Sequence, residues 1–467
     1  MDPQNINLSS KIKVNSIDSL QNLTTHGIPN LFREKPKTIK LFWFIITAVS
    51  ACLSVYFIYK TISDYLTYEV TTEVRLIDAD SLDIPNIMIC NKNQLSSNES
   101  VKYLNLIAKQ IGIEDYDNNK EKVKQFISLL SPGYILYNIS FELGRSLTLK
   151  PKDMVFECLF NDVKCDESWF EWIFNINYGN CYRINTLKMR QDYLQNKTMV
   201  DLSKSIKANP LYGLYMKLYL GQTNELNYLM PDKMIQLSVH DEKANPFDEL
   251  DLIDLPGGFD STVQIQLSKF SKYPKPYSNC EYSLENDPDS KIIQETNKYY
   301  KKIVKSDYKY SQSICVEFCK NDYFNRNGIC KMAKSSIQIE ANNNNPIQNC
   351  SFKIKNQREF MEQFFKEVEL VQQIVSKCKE ECPLECEKVK LDTKVLLKQY
   401  PLVDVELARE KLIQQKLLIN NSNLEKDLVA LTVYFGSMSY LNYKENPLVT
   451  VYKVVSDIGG VLGLFLG

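Results

Sequence analysis

The sequence predicts a membrane protein in which two transmembrane helices, the second one truncated, flank a large disulfide-rich α+β extracellular domain. Three observations support this fold class. Residues 41–59 form an uncharged apolar run, twelve of the thirteen cysteines lie beyond that run, and the chain closes on an apolar segment rich in glycine. The net charge of −1 creates no global field, so a nucleic-acid partner is not indicated.

The apolar run at 41–59 has the length that a bilayer core requires. Forty residues precede it without the basic start and small-residue cleavage site of a signal peptide, which favours a permanent helix, expected over 41–60. Basic residues lie before the run and acidic residues after it, namely Arg33, Lys35, Lys37 and Lys40, then Asp64, Glu69 and Glu73. The positive-inside rule therefore places residues 1–40 in the cytosol and residues 61–455 outside the cell.

The cysteines agree with this orientation, because twelve of them in an oxidising compartment indicate up to six disulfides, while Cys52 lies in the membrane run. Zinc is the alternative for "CKEEC" and "CPLEC". Zinc sites favour two-residue spacers and histidine, whereas these spacers have three residues and the chain has two histidines. Five sequons on the same side are candidate glycosylation sites: Asn98, Asn138, Asn196, Asn349 and Asn420.

Within the extracellular part, short β-like runs predict strands at "IPNIMIC" (84–90) and "STVQIQLSKF" (261–270), and three- and four-residue spacing predicts helices over 356–378 and 405–418. The "ANNNNP" run at 341–346 is typical of a loop. Strands and helices lack a regular βαβ order, which favours an α+β domain. No catalytic motif is recognised, and His240 is expected at the surface or in a turn; neither a metal, a cofactor nor an enzymatic activity is expected.

The closing stretch, "SDIGGVLGLFLG", spaces Gly459, Gly463 and Gly467 four residues apart, so on a helix they share a face. Such a face allows close helix packing in lipid. Where it lines a pore, glycine also exposes carbonyls that can replace an ion's hydration shell. Ten apolar residues are too few to cross a bilayer, so residues 456–467 are expected to begin a second, pore-lining helix whose remainder is missing. A glycine-softened tail is the alternative.

Six motifs in order resemble those of the degenerin/epithelial sodium channel superfamily, which includes acid-sensing and peptide-gated channels. They are "THGIP" (25–29), "IPNIMICN" (84–91), "FNINYGNCYRIN" (174–185), "PKPYSNC" (274–280), "CVEFC" (315–319) with "CPLEC" (382–386), and the closing stretch. Two departures stand out. "GIC" at 328–330 replaces a Cys-x-Cys pair, and only Gly467 represents the Gly-x-Ser selectivity triplet.

The resemblance implies an amiloride-sensitive, sodium-selective channel subunit of the plasma membrane, assembled as a homo- or heterotrimer and multi-pass in the bilayer. Its permeant ion would be sodium, and a proton, a peptide or force acting on the extracellular domain would shift it between two arrangements. The rival class is a single-pass receptor or adhesion protein with a Cys-rich ectodomain. Such a receptor would need no glycine-periodic second membrane segment.

The resemblance also implies roles for individual residues. Gating roles fall on His26, Gly27, Tyr68, Tyr277 and Ser456, and pore positions on Asp457, Gly459, Gly460, Gly463 and Gly467. The implied disulfides are Cys90–Cys181, Cys158–Cys165, Cys280–Cys386, Cys315–Cys382, Cys319–Cys378 and Cys330–Cys350. Ser456 would need to stay small where three helices converge, although it could equally cap the helix that follows.

Overall fold

The chain folds into two units in a computed structural model. The structure describes residues 27–97, 145–175, 178–186, 204–221, 233–241, 252–281, 309–326, 357–414 and 424–465, with isolated positions at 100, 118, 119, 121, 188, 189, 191, 299, 302, 303 and 467. The first unit contains Met1–Glu73, Lys272–Asn279 and Lys444–Gly467. The second contains Val74–Ser271 and Cys280–Tyr443.

Seven α-helices have defined bounds in the described part of the chain. They are α1 (Ile28–Arg33), α2 (Lys37–Leu66), α3 (Pro151–Met154), α4 (Gln312–Arg326), α5 (Gln357–Glu381), α6 (Leu402–Gln414) and α7 (Val451–Phe465). The two helices predicted from periodicity correspond to α5 and α6. In α5 the side chains of Ile374 and Cys378, one turn apart, are buried, as the apolar spacing requires.

The larger sheet has eight strands. In chain order they are β1 (Val70–Asp78), β4 (Val155–Phe160), β5 (Val163–Lys164), β9 (Leu214–Tyr219), β12 (Phe259–Ser271), β15 (Glu387–Gln399), β16 (Leu428–Phe435) and β17 (Ser439–Pro447). Strand β12 is central, since it pairs antiparallel with β15 along its whole length and parallel with β16 over its first half. Its alternation of buried Val263, Ile265 and Leu267 with polar glutamines explains why the strand could be predicted.

A second sheet has five strands, and its β3 corresponds to the strand predicted at 84–90. Their bounds are β3 (Asn86–Asn91), β6 (Phe170–Asn175), β7 (Gly179–Ile184), β10 (Met234–His240) and β11 (Ile253–Pro256), in the spatial order β11-β10-β3-β7-β6. Two short ladders pair β2 (Leu82–Asp83) with β8 (Lys204–Ser205) and β13 (Cys280–Glu281) with β14 (Leu384–Glu385). Buried residues of both large sheets, such as Ile89 and Leu431, belong to one hydrophobic core.

Five disulfides cross-link the second unit, and each has a pairing that the resemblance implies. They are Cys90–Cys181, Cys158–Cys165, Cys280–Cys386, Cys315–Cys382 and Cys319–Cys378. The last two join α4 to the end of α5 and the residues just after it, around a separate small core. Each disulfide is worth about 2–4 kcal/mol, largely by restricting the unfolded chain. The implied partners Cys330 and Cys350 lie outside the described residues, as do the "ANNNNP" run and all five sequon asparagines.

The structure differs from the sequence-based expectations at three places. His240 is neither at the surface nor in a turn, because it ends β10 opposite Asn86 and is 8% exposed. Helix α2 extends beyond the predicted membrane segment 41–60 at both ends, since helical hydrogen bonds do not stop where the apolar run stops. Helix α7 begins at Val451, five residues before the predicted start, because Thr450 precedes it and accepts a hydrogen bond from the Lys453 N–H at 3.2 Å.

Candidate functional site

The first unit contains the apolar helix α2, which has the properties of a membrane span. Its 30 residues correspond to about 45 Å of helix, and only 6% of its most apolar stretch is buried. Among the described residues it is the only helix that is both long and apolar enough to cross a membrane. The exposed apolar surface of α2 therefore needs lipid or other helices as its surroundings.

The short helix α1 packs against α2 through a close approach at Gly27. A β-carbon at Gly27 would lie 2.3 Å from Thr47 Oγ1, and Thr47 Oγ1 is buried without a hydrogen-bond partner among the described residues. Pro29, at the start of α1, is buried as well. The implied gating residue His26 lies outside the described residues. Thr47 is a contact that sequence reasoning missed, because twenty residues separate it from Gly27.

In the channel that the resemblance implies, replacing Gly27 by alanine is expected to reduce the current by loosening α1 from α2. Gly27 has φ −103° and ψ −35°, which alanine adopts freely, so the effect must come from the contact with Thr47. Overpacking such a contact costs about 1–3 kcal/mol. The measurement is whole-cell current normalised to surface expression.

The matched control is Thr47→Ala, which removes the Oγ1 that would clash and leaves only the Thr47 β-carbon, 3.3 Å from the added methyl group. The double variant should recover most of the current that Gly27→Ala loses. Equal currents in the single Gly27→Ala variant and the double variant, both low, would contradict a steric role for Gly27.

A cluster of four tyrosines lies where the chain leaves α2, and it includes both aromatic residues to which the resemblance assigns gating roles. The rings of Tyr68 and Tyr277 meet edge to face with centroids 5.4 Å apart. Tyr65 contacts Tyr68 at 5.8 Å, and Tyr273 contacts Tyr277 at 5.1 Å. Tyr68 has φ 53°, a left-handed conformation that is rare for an aromatic residue and turns the chain out of α2. Tyr65 and Tyr273 were missed by sequence reasoning, although each lies within four residues of a tyrosine that it singled out.

Hydrogen bonds join the chain segments that adjoin α2 and α7. The Leu448 N–H donates to the Glu69 carbonyl at 2.9 Å, and Asn446 Nδ2 donates to Glu73 Oε2 at 3.3 Å. The loop that carries Tyr277 joins the same group, because the backbone N–H of its Tyr273 donates to a carboxylate oxygen of Glu445 at 3.1 Å. A displacement of any one of these segments therefore acts on the other two.

In the channel that the resemblance implies, alanine at Tyr68 or at Tyr277 is expected to impair gating while leaving surface expression largely intact. An edge-to-face aromatic pair contributes about 0.5–1.5 kcal/mol beyond its burial, which is enough to bias a gating equilibrium of a few kcal/mol. The measurement is the current evoked by an effective stimulus, compared in the two single variants and the double variant. If the two rings act through their mutual contact, the double variant should show the same gating defect as either single variant. Normal gating in both single variants would contradict a gating role for these two rings.

Helix α7 presents an open face that contains most of the predicted pore residues. Ser456 and Asp457 are exposed within the helix, so Ser456 does not cap it, and the alternative role of Ser456 as an N-cap is wrong. A β-carbon added at Gly459, Gly460 or Gly463 would meet no heavy atom within 4 Å among the described residues. Because Ser456, Gly460 and Gly463 are four and three residues apart, they share this face.

The end of α7 contacts α2 on another side. The rings of Phe57 and Phe465 stack with centroids 5.7 Å apart and an interplanar angle of 16°. Gly467 follows the helix with φ 97°, a conformation that glycine adopts without strain. Helix α7 is thus held to α2 through its aromatic side, while its glycine face has no neighbour within the described part of the chain.

The fold and this unit define a class: a membrane protein with a long exposed apolar helix and a β-rich domain cross-linked by five disulfides. The chain belongs to the amiloride-sensitive sodium channel family, whose sequence profile matches residues 19–467. This is a family of ion channels, not of enzymes.

Curated relatives agree with the family. The chain is 25% identical over 337 residues to the epithelial sodium channel subunit gamma-2 of Xenopus laevis, a match that covers 71% of this chain and 46% of that protein. It is 21% identical to the bile acid-sensitive ion channel of Homo sapiens, over 95% of this chain and 81% of the relative. It is 24% identical to the FMRFamide-activated amiloride-sensitive sodium channel of Cornu aspersum, over 63% of this chain and 44% of the relative. The chain thus spans about half the length of several of the curated relatives it matches.

Proposed function

We propose that this chain is a subunit of a trimeric, sodium-selective cation channel of the plasma membrane that is gated through its extracellular domain. The observation that carries the proposal is the family match over residues 19–467. The open glycine face of α7 supports it, since an unfilled face of this kind is suited to packing against like helices or to lining a pore.

The proposed topology follows the charge asymmetry around α2. Residues 1–40 lie in the cytosol, residues 41–60 cross the bilayer, residues 61–455 are extracellular, and residues 456–467 belong to a second membrane helix. An extracellular location is compatible with the five disulfides, because such bonds persist in oxidising compartments. The five sequon asparagines would then be available for glycosylation.

In the proposed pore, three copies of α7 turn their glycine faces toward a common axis. Glycine leaves backbone carbonyls accessible there, and carbonyl oxygens can take the place of the hydration shell of a sodium ion. The role proposed for Asp457 is to attract cations to this pathway through its charge. Like subunits and bilayer lipid are the partners that this arrangement requires.

The proposed stimulus acts on the extracellular domain and is passed to α2 and α7 through the tyrosine cluster and its hydrogen bonds. A stimulus favours opening only to the extent that it binds or stabilises the open arrangement better than the closed one. Two relatives are described as bile acid-sensitive and FMRFamide-activated, which makes amphipathic acids and short peptides the first ligands to test, together with protons.

Whole-cell recording from the full-length subunit tests the proposal. A current whose reversal potential follows the sodium gradient, and which amiloride blocks, is the expected result. A panel of acid, bile acids and short amidated peptides would identify the stimulus. Surface expression without sodium current under any of these stimuli, alone or with a related subunit, would favour the rival receptor or adhesion protein.

A further inference from the structure

His240 is a buried histidine that the proposed gating and pore residues do not include. It is the last residue of β10, its side chain is almost fully buried, and neither ring nitrogen has a hydrogen-bond partner among the described residues. A buried polar atom without a partner is uncommon in folded proteins and calls for an explanation. In a neutral histidine, the ring nitrogen that lacks hydrogen is also a site where a proton can bind.

The strand register places His240 on the same face of the five-stranded sheet as Arg183. His240 lies opposite Asn86 on β3, and two residues along that strand Met88 lies opposite Arg183 on β7. Arg183 donates to Glu171 Oε2 at 2.6 Å, and its own Nε is buried without a partner in the described part of the chain.

The charged groups near this end of the sheet come from several elements. They are Arg183 on β7, Glu171 on β6, Lys188 after β7, and Asp241, which directly follows β10. Strand β3 contributes the neutral Asn86 instead. Among these groups, Arg183 is the one whose positive charge acts on His240, and this charge disfavours a second positive charge on the imidazole.

The end of β10 pairs with a single strand in the described part of the chain. Strand β11 pairs with β10 from Met234 to Leu237, so the last three residues of β10, ending at His240, pair among the described residues with β3 alone. Releasing His240 to water therefore requires the loss of a short stretch of one ladder, while the rest of the sheet remains paired.

We propose that His240 is a proton-binding site, and that its protonation opens the end of β10 away from β3. An imidazolium in this position would be buried without a hydrogen-bond partner and would face the positive charge of Arg183, so the protonated ring is stable only once it reaches water. The relevance of acidic pH to His240 depends on the proposed function, which places this residue in the extracellular domain.

The pKa of His240 agrees with this direction. Burial first, and then the positive charge of Arg183, lowers its pKa to about 3, whereas an exposed imidazole has a pKa of about 6.5. Because the pKa of His240 is lower in the closed form than in water, the closed form keeps its full stability above about pH 6.5. It loses stability as the pH falls from there toward the pKa of about 3 of the closed form. Between about pH 7.4 and about pH 5.0 the opening equilibrium should rise about 30-fold, since the open form alone takes up the proton.

Hydrogen–deuterium exchange of the detergent-solubilised full chain tests the proposal. Exchange is compared at about pH 7.4 and about pH 5.0 after correction for the intrinsic pH dependence of exchange. In the unsubstituted protein, the protection factors of peptides from the end of β10 and from its partner β3 should fall about 30-fold at the lower pH. Peptides from β15 should keep theirs.

The chain has two histidines, so one substitution removes His240 and the other serves as its control. His240→Gln, which cannot titrate, should abolish the acid response of β10 and β3, and the matched control His26→Gln should preserve it. An equal acid response with and without His240, or an unsubstituted protein whose β10 keeps its protection at the lower pH, would overturn the proposal.

A second measurement covers the case in which His240→Gln disrupts the fold. The NMR titration of the His240 ring in the His26→Gln chain should show no protonation of the closed form near neutral pH. A simple titration near the ordinary histidine pKa of about 6.5 without loss of protection would also overturn the proposal. Neither measurement uses ion current, so a failure of the proposed channel function would leave this result unaffected.

Discussion

Replacing Lys233 by methionine should lower the free energy of unfolding by about 3–5 kcal/mol, because it leaves the carboxylate of Asp427 buried without the ammonium group that neutralises it. Asp427 has a completely buried side chain and forms an ion pair with Lys233, whose side chain is 22% exposed. Asp427 ends a short 3₁₀ helix just before β16, and Lys233 lies just before β10. The pair therefore joins the eight-stranded sheet to the five-stranded sheet.

Backbone hydrogen bonds surround this ion pair. The Leu220 N–H donates to the Asp427 carbonyl at 2.9 Å, and the Gly257 N–H donates to the Lys233 carbonyl at 2.8 Å. A β-carbon at Gly257 would lie 2.1 Å from the Lys426 carbonyl oxygen, so the chain has no room for a side chain there. With so little space, the Asp427 carboxylate cannot reach water without disturbing both sheets.

The two single substitutions should differ in a defined direction. Asp427→Asn leaves a lysine that is already partly exposed and can extend its ammonium group toward water, so it should cost less than Lys233→Met. The double variant Lys233→Met with Asp427→Leu should recover much of the loss, since replacing both partners of a buried pair with apolar groups is often neutral. Thermal unfolding of the detergent-solubilised chain, with disulfides intact, measures the differences.

A surface pair provides the control. Lys390 and Asp392 lie 2.7 Å apart, and both side chains are about half exposed. Lys390→Met should change stability by less than about 1 kcal/mol. If Lys233→Met were as mild as Lys390→Met, the ion pair at Asp427 would have no special role in joining the sheets.

Local patterns allowed several elements to be predicted from the sequence. The alternation in β12 and the helical spacing in α5 are properties of a few neighbouring residues, so a window of roughly ten to twenty residues contains the whole signal. The start of α7 was also within reach, because Thr450 stands directly before the apolar residues. Ser456 was preferred as the alternative cap only because the glycine run follows it.

Contacts between distant parts of the chain were not predictable in this way. Lys233 and Asp427 are 194 residues apart, and nothing near either residue indicates its partner. The burial of His240 depends on a sheet whose strands come from separate parts of the chain. The disulfide pairs and the contact between Tyr68 and Tyr277 were anticipated only through resemblance to a family, since spacing alone leaves many pairings open.

Bulky substitution of Ser456 should increase the current at rest. In the proposed trimer, three α7 helices converge with this face toward the axis, and the closed state has the least room. Overpacking costs about 1–3 kcal/mol, and the cost falls on the closed state alone, so Ser456→Phe should raise the ratio of open to closed channels by about 5- to 150-fold. The measurement is resting sodium current, normalised to surface expression, from the full-length subunit.

The structure separates this steric effect from a capping effect. Since Thr450 caps α7 and Ser456 is exposed inside it, Ser456→Ala should change neither expression nor resting current. The matched control is therefore Ser456→Ala, which changes the same position without adding bulk. Equal resting currents in the Ser456→Phe and Ser456→Ala channels would contradict the placement of Ser456 at the pore axis, and the proposed orientation of α7 would then have to be abandoned.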